Sequence, residues 1–385
     1  MDKNFCLHNI NILTGFSVMK DCAIYVQGNK IKDVYNEARL EQKDFYKKVK
    51  MIDGNGATLA PGFMDTHIHG IGGYSTDDAD YKSILGMSET LAHYGVTSFI
   101  PTISATAEDL LIPKIKAILK AMGKEKGATI LGIHLEGPFL SPKRIGGQEF
   151  SGISPVDLDY MARICKAAKG HIINMTVAPE LKGMRELSLY CLQQGIILQA
   201  GHTDATYKQM IEAMQVNIMH VTHMFNAMRP LHHREPGTVG AALTHREISC
   251  EIIGDGVHVA PTLFPLLLKT KPLSQLVLIT DSLKYAKADI PPNADFYFDK
   301  CFKRKADEVI IGSGISMLDG FKNLMSFGLS PEEAIQMAAA NPARIMKQSG
   351  KGLLLPGYDA DFIVFDKNFD IIHTFVNGKM FKEKN

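Results

Sequence analysis

Two hydrophobic periods divide the chain. Near the start, apolar residues come in short β-like runs, Phe5–Ile12, Cys22–Gln27, Lys30–Tyr35 and Thr58–Ala60, separated by turn residues such as Gly28-Asn29 and Gly54-Asn55-Gly56. Near the end, Phe362–Phe365 and Ile371–Phe375 followed by Asn377-Gly378 suggest a hairpin. Neither set is long enough to build a core alone. Both termini are therefore predicted to join one small β-sandwich domain, residues 1–58 with 347–385.

Between them, over 59–346, apolar strand and amphipathic helix alternate, which argues for a parallel sheet wrapped by helices. The strand-like runs are Gly62–His69, Val96–Thr102, Thr129–Glu136, Ile172–Ala178, Ile196–Gly201, Ile218–His223, Ile248–Ile253 and Leu276–Thr280. Helices are predicted over Asp80–His93, Ala107–Met122, Pro155–Lys169, Met184–Gln193 and Asp204–Met214, with a further one over Pro331–Ala340 behind a Ser330 N-cap. That strand count is the count of a (β/α)8 TIM-like barrel; a doubly wound open sheet is the alternative, but it does not need so many strands.

The C-terminal ends of these strands carry the chemistry. The first ends in His67-Ile68-His69, the third in His134-Leu135-Glu136, the fifth in Gly201-His202, the sixth in His220-Val221-Thr222-His223, the seventh in Asp255-Gly256-Val257-His258 and the eighth in Thr280-Asp281. On a strand, residues two apart share a face, so His67 and His69 present two imidazoles to one point. In a barrel all these ends converge on one mouth. Glu136, His202 and His223 then make one N/O ligand set for a metal, and His67 and His69 add or support a second cation with Glu136 able to bridge. Asp281 is the natural general base. His134 and His220 sit beside these stronger candidates and read as packed or supporting rings. The loop Met228–Gly237, with Arg229, His232, His233 and Arg234, suits a phosphate or carboxylate handle, and Lys143-Arg144 offers a second.

Composition narrows the class. The 385 residues are 45% hydrophobic and 22% charged with a net charge of +1, which gives no general reason to expect nucleic acid or an anionic membrane as partner. The first fifteen residues contain charges and no sustained apolar stretch, so no secretory signal is expected, and no apolar run reaches membrane-spanning length. The six cysteines have no paired spacing and read as reduced thiols of a cytoplasmic protein.

Taken together, His67-Ile68-His69-Gly70, His134-Leu135-Glu136-Gly137-Pro138-Phe139, Gly201-His202-Thr203-Asp204, Thr222-His223-Met224-Phe225-Asn226-Ala227-Met228, His232-His233-Arg234-Glu235-Pro236-Gly237, Gly254-Asp255-Gly256-Val257-His258 and Thr280-Asp281 resemble the N-acetylglucosamine-6-phosphate deacetylases of the amidohydrolase superfamily. The resemblance runs from about residue 50 to 366 and closes on Pro356-Gly357-Tyr358-Asp359-Ala360-Asp361. It implies metal-dependent hydrolysis of the acetamide of N-acetylglucosamine 6-phosphate, within amino-sugar metabolism. It implies a divalent cation (Zn, Fe, Mn or Co), one or two per subunit, on Glu136, His202, His223, His67 and His69, with Asp281 as catalytic acid/base. Gly147, Asn226, Ala227, Arg234, His258, Ile311 and Gly312 match positions that contact substrate. A homodimer in which Arg234 reaches the neighbouring site is also implied.

The chain departs from the family after Asp281, where Ser282-Leu283-Lys284 leads into the Lys- and Phe-rich stretch Phe296–Lys305. Two other readings stay open on the sequence: deacetylation of a different N-acetylated sugar phosphate or an N-acyl amino acid, and a non-catalytic sugar-phosphate sensor.

Overall fold

The computed structural model describes residues 4–15, 17–46 and 48–381. Its centre is a parallel barrel. The strands Phe63–Ile68, Val96–Ser104, Ile133–Glu136, Ile172–Val177, Ile197–Ala200, His220–Val221, Ser249–Ile253 and Leu276–Ile279 follow one another in sequence order around it. The first and last meet at their C-terminal ends, where the Asp281 N–H donates to the His67 carbonyl at 2.9 Å and the His69 N–H to the Ser282 carbonyl at 3.0 Å. These two bonds join the rim on which His67, His69 and Asp281 sit.

Alternation sorts the side chains. Met64 and Ile68 of the first strand and Cys250 and Ile252 of the seventh are buried, and Ile68 and Ile252 belong to the main apolar core. Asp65, His67 and Glu251 take the opposite face and point into the barrel. Inside, polar side chains hydrogen-bond to one another: Asn174 Nδ2 donates to Gln199 Oε1 at 3.1 Å, and Gln199 Nε2 to Glu251 Oε1 at 3.3 Å. Buried polar groups left unpaired would cost roughly 1–3 kcal/mol each, so this network lets a polar floor exist beneath the site.

Beyond shifts of one to three residues at element ends, three elements of the barrel domain differ from prediction. The third strand is split into Thr129–Ile130 and Ile133–Glu136, and at the break Gly132 passes so close to the His171 carbonyl that a Cβ there would lie 2.6 Å from it. The sixth keeps only His220–Val221 of the predicted Ile218–His223: the Ile218 N–H turns back to the Ala213 carbonyl. The helix predicted over Pro331–Ala340 is α-helical only at Pro331–Ile335 and widens to a π turn at Gln336–Ala340. Pro342 follows, with no N–H to continue the regular ladder.

The termini build the expected small β layer as a single seven-stranded sheet rather than two separately hydrogen-bonded ones. Lys50–Pro61 lies near its middle, between Asn4–Leu13 and Phe362–Phe365. Phe5, Ile12, Leu59, Phe362 and Phe375 fill one of its cores. After the last barrel strand, Phe296–Asp299, Cys301–Arg304 and Ile310–Gly312 form a three-stranded antiparallel lid over the barrel mouth. All six cysteines are free. Among the described residues no helix is long and apolar enough to cross a membrane.

Candidate metal centre and active site

The strand ends converge as their spacing predicted. His202 Nε2 and His223 Nε2 each lie 3.0 Å from Glu136 Oε1 and 3.1 Å from one another. His67 Nε2 is 3.5 Å from the same oxygen, and His69 Nε2 is 3.2 Å from Glu136 Oε2. Asp281 Oδ1 completes the second cluster, 3.5 Å from His67 Nε2 and 3.3 Å from His69 Nε2. Two ligand sets result, Glu136-His202-His223 and His67-His69-Asp281, and the Glu136 carboxylate faces both.

Local backbone shape aims these groups. His202, His223 and Asp281 have φ of +45°, +28° and +48°. Left-handed backbone costs a residue with a Cβ about 1–3 kcal/mol, and persists where the surroundings enforce it. Here the ladder ends and hydrogen bonds enforce it: the Asp281 carbonyl, for instance, accepts from the Ser313 N–H at 2.9 Å.

The other nitrogen of most rings is held from behind. His202 Nδ1 lies 3.0 Å from the Ile145 carbonyl, His69 Nδ1 3.0 Å from Ser104 Oγ, and His67 Nδ1 3.1 Å from Glu251 Oε2. A ring that donates through Nδ1 keeps its Nε2 lone pair for a metal. His134 is buried among Thr102 (3.0 Å) and Thr176 (2.9 Å), and His220 rests on Ser249 at 2.6 Å, so both lie behind the front rings.

Charge reinforces the geometry. Burial would raise the Glu136 carboxyl, but the nearby His67 and His202 hold it well below the usual range. For Asp281, burial is likewise outweighed by His67 and His69, so its carboxyl is depressed. For His69, burial is outweighed by Asp281 and Glu136, and the ring is pushed up to about 9. His67 moves upward for the same reason, against its burial. Its Nε2 is buried without a hydrogen-bond partner while facing both carboxylates. Imidazole and carboxylate donors so crowded, with an orphaned ring nitrogen among them, fit a divalent cation.

A cavity of about 770 Å³ opens above, large enough for a small ligand. Gly147, Asn226, Ala227, His258, Ile311 and Gly312 line it. His258 is oriented by Asp255, whose Oδ2 lies 2.5 Å from Nδ1, leaving Nε2 for a ligand. Gly147 is required by space, since a Cβ there would sit 2.9 Å from the Ile311 Cα of the lid. Arg234 stands apart: it is exposed, contacts His233 at 2.8 Å and is not among the residues lining the cavity.

Three further contacts were not found by motif. Glu251 supports His67 and is also 3.3 Å from the His223 N–H; its only signal was a lone acid inside the apolar run Ile248–Ile253. Gln148 Nε2 donates to Glu136 Oε2 at 2.5 Å, and Arg304 of the lid lines the cavity. Loop and lid positions such as these carry no periodicity that would reveal them.

A barrel with metal-ligand histidines and acids at its C-terminal rim is the architecture of metal-dependent hydrolases, and the chain belongs to the amidohydrolase family, whose model matches residues 58–381. Within that family it is 32% identical over 394 residues to the N-acetylglucosamine-6-phosphate deacetylase of Bacillus subtilis (strain 168), covering 99% of this chain and 98% of that protein. It superimposes with a TM-score of 0.88 on the Mycobacterium smegmatis N-acetyl-D-glucosamine-6-phosphate deacetylase in complex with N-acetyl-D-glucosamine-6-phosphate, at 26% identity, covering 98% of this chain and 99% of that one. It is also 29% identical to the N-acetylgalactosamine-6-phosphate deacetylase of Escherichia coli O157:H7, over 86% of this chain and 90% of that protein.

Proposed function

We propose that this protein hydrolyses the acetamide of N-acetylglucosamine 6-phosphate, releasing acetate and glucosamine 6-phosphate. The observation that carries the reading is the shared Glu136 carboxylate, 3.0 Å from His202 and His223 and 3.2 Å from His69, with Asp281 beside it on the cavity floor. Glu136, His202 and His223 would hold a divalent cation, and His67 and His69 a second; N/O donors of this kind accept Zn, Fe, Mn or Co. Such a cation, when bound, polarises a carbonyl and acidifies water.

The chain's own groups supply the rest. Asp281, its carboxyl kept ionised by His67 and His69, accepts the proton of the attacking water. It then returns that proton to the departing amine as the C–N bond breaks, so the carboxylate is regenerated. Asn226, Ala227, His258, Gly147, Ile311 and Gly312 orient the sugar against this floor, and the lid limits access of bulk water. We also take the protein to act as a homodimer in which Arg234 reaches the neighbouring site, and to work in the cytoplasm on amino sugars.

The galactosamine epimer is the second reading, supported by the similarity to the Escherichia coli O157:H7 protein. Acetate release from N-acetylglucosamine 6-phosphate, N-acetylgalactosamine 6-phosphate and unphosphorylated N-acetylglucosamine, measured on protein of known metal content, separates the readings. Preference for the first substrate is the expected result. Preference for the epimer reassigns the sugar, and no acetate from any of them, with metal bound, contradicts the enzymatic reading.

A further inference from the structure

The lid brings a guanidinium to the cavity that no family motif marks. Arg304 ends the strand Cys301–Arg304 and lines the cavity beside Gly146 and Gly147. It also lines an adjoining groove of about 580 Å³ that carries Lys143 and Arg144. Among the described residues lining the cavity, only Lys114 and Arg304 carry lysine or arginine charge. Lys114 is committed: its ammonium is 2.7 Å from Asp77. Arg304 is not. Its Nη1 lies 3.5 Å from Glu149 Oε1 and its Nε 3.3 Å from Asp307 Oδ1, and both carboxylates are well exposed, at 75% and 48%. Its Nη2 meets the Gly146 carbonyl only at 3.5 Å, and its Nε is buried without a hydrogen-bond partner.

Loose pairs with exposed carboxylates contribute little and are easily exchanged. A dianion could therefore replace both partners and engage the fork of the guanidinium bidentately. The position suits this. Gly146 stands next to the floor, since a Cβ on it would lie 3.0 Å from Ala227 Cβ and 3.2 Å from His202 Cε1. Arg304, its Nη2 3.5 Å from the Gly146 carbonyl, lines the cavity beside that floor. Arg234 by contrast is not among the residues lining the cavity.

We propose that Arg304 is a specificity-determining residue which, from the lid of the same subunit, binds the phosphate of the substrate. This rests on the sugar-phosphate reading above. It also gives a role to the stretch after Asp281 in which the sequence departs from the family, because the lid that delivers Arg304 is that stretch.

The test compares Arg304→Ala, Arg304→Lys and the lid control Lys303→Ala on phosphorylated and unphosphorylated N-acetylglucosamine. Lys303 pairs with Asp299 at 3.2 Å within the lid and is not among the cavity-lining residues. For Arg304→Ala the expected result is a KM for the phosphorylated sugar raised about tenfold or more with kcat changed less than about threefold, and unaltered kcat/KM on the unphosphorylated sugar. Arg304→Lys should recover part of the loss and Lys303→Ala should resemble wild type. Equal loss on both sugars means a structural role and overturns the inference, as does no change on either.

Calorimetric binding of glucosamine 6-phosphate and glucosamine reads the anion site without turnover. Wild type should favour the phosphorylated amine, and Arg304→Ala should lose about tenfold of that preference. A preference that survives in Arg304→Ala, or is absent from wild type, overturns the inference. Absence of acetate release from both sugars, with this binding preference intact, overturns only the proposed reaction.

Discussion

Glu251 Oε2 lies 3.1 Å from Nδ1 of His67, and both side chains are fully buried. The acid sits one layer below the ligand atoms and sets which nitrogen of His67 faces them. It also reaches His220 Nε2 at 3.5 Å and the His223 N–H at 3.3 Å, so one carboxylate braces parts of both ligand sets.

Glu251→Gln should therefore weaken cation binding without touching any ligand. Outer partners of this kind alter metal affinity by about 10–100-fold. Metal content after dialysis against graded chelator, measured by plasma mass spectrometry, checks this. Retention equal to wild type would mean that the bond to His67 does not orient the ring.

Gly147 faces the lid so closely that a Cβ would stand 2.9 Å from the Ile311 Cα. Backbone cannot yield as a side chain can, so Gly147→Ala should push the lid strand Ile310–Gly312 outward. The expected effect is a KM raised about tenfold with a smaller change in kcat. Steady-state kinetics, with circular dichroism to check the fold, measures it.

Lys351 ties the C-terminal segment to itself through Asp361 at 2.7 Å and Asp359 at 3.1 Å, and Asp359 also meets Lys30 at 2.7 Å. Burial alone would lower the Lys351 ammonium, but the two carboxylates outweigh it and raise it above its ordinary 10.5. Burial keeps the Asp361 carboxyl raised despite the lysine. The lysine reports the pairing more directly, since it faces two acids while Asp361 faces one ammonium.

A raised folded value in a lysine means stability fully present below pH 10.5 and lost as pH climbs through the folded value. Lys351→Met, which leaves Asp361 buried without its cation and held by the Asn377 N–H, should cost about 3–5 kcal/mol. Lys351→Met with Asp361→Asn should cost less. Thermal melts from pH 8 to 11.5 (roughly spanning that window) should show a flatter alkaline limb in Lys351→Met than in wild type.

Much of the site was legible because strand ends in a barrel must converge. Period and count place His67, His69, Glu136, His202, His223 and Asp281 at one mouth, and in the structure each of the histidines lies within 3.0–3.5 Å of Glu136 or Asp281 or both. What escaped had no period to betray it. Glu251 occupies a strand position that pattern assigns to the core, and the facing His67, His220 and Gln199 with the His223 N–H make a buried acid tolerable there. Arg304 and Gln148 lie in a lid and a loop whose paths depend on what they pack against. The short sixth strand and the π turn at Gln336–Ala340 follow from tertiary hydrogen bonding and Pro342, which apolar spacing does not encode.

Asp281→Asn tests the central claim most directly, because it keeps the shape of the side chain and removes the carboxylate that carries the proton. The measurement is acetate release from N-acetylglucosamine 6-phosphate by wild type and Asp281→Asn at matched cation content. A loss of about 100-fold or more is expected for removal of a general acid and base. Turnover within a few-fold of wild type, with the cation still bound, would contradict the role of Asp281 and the chemistry built around it.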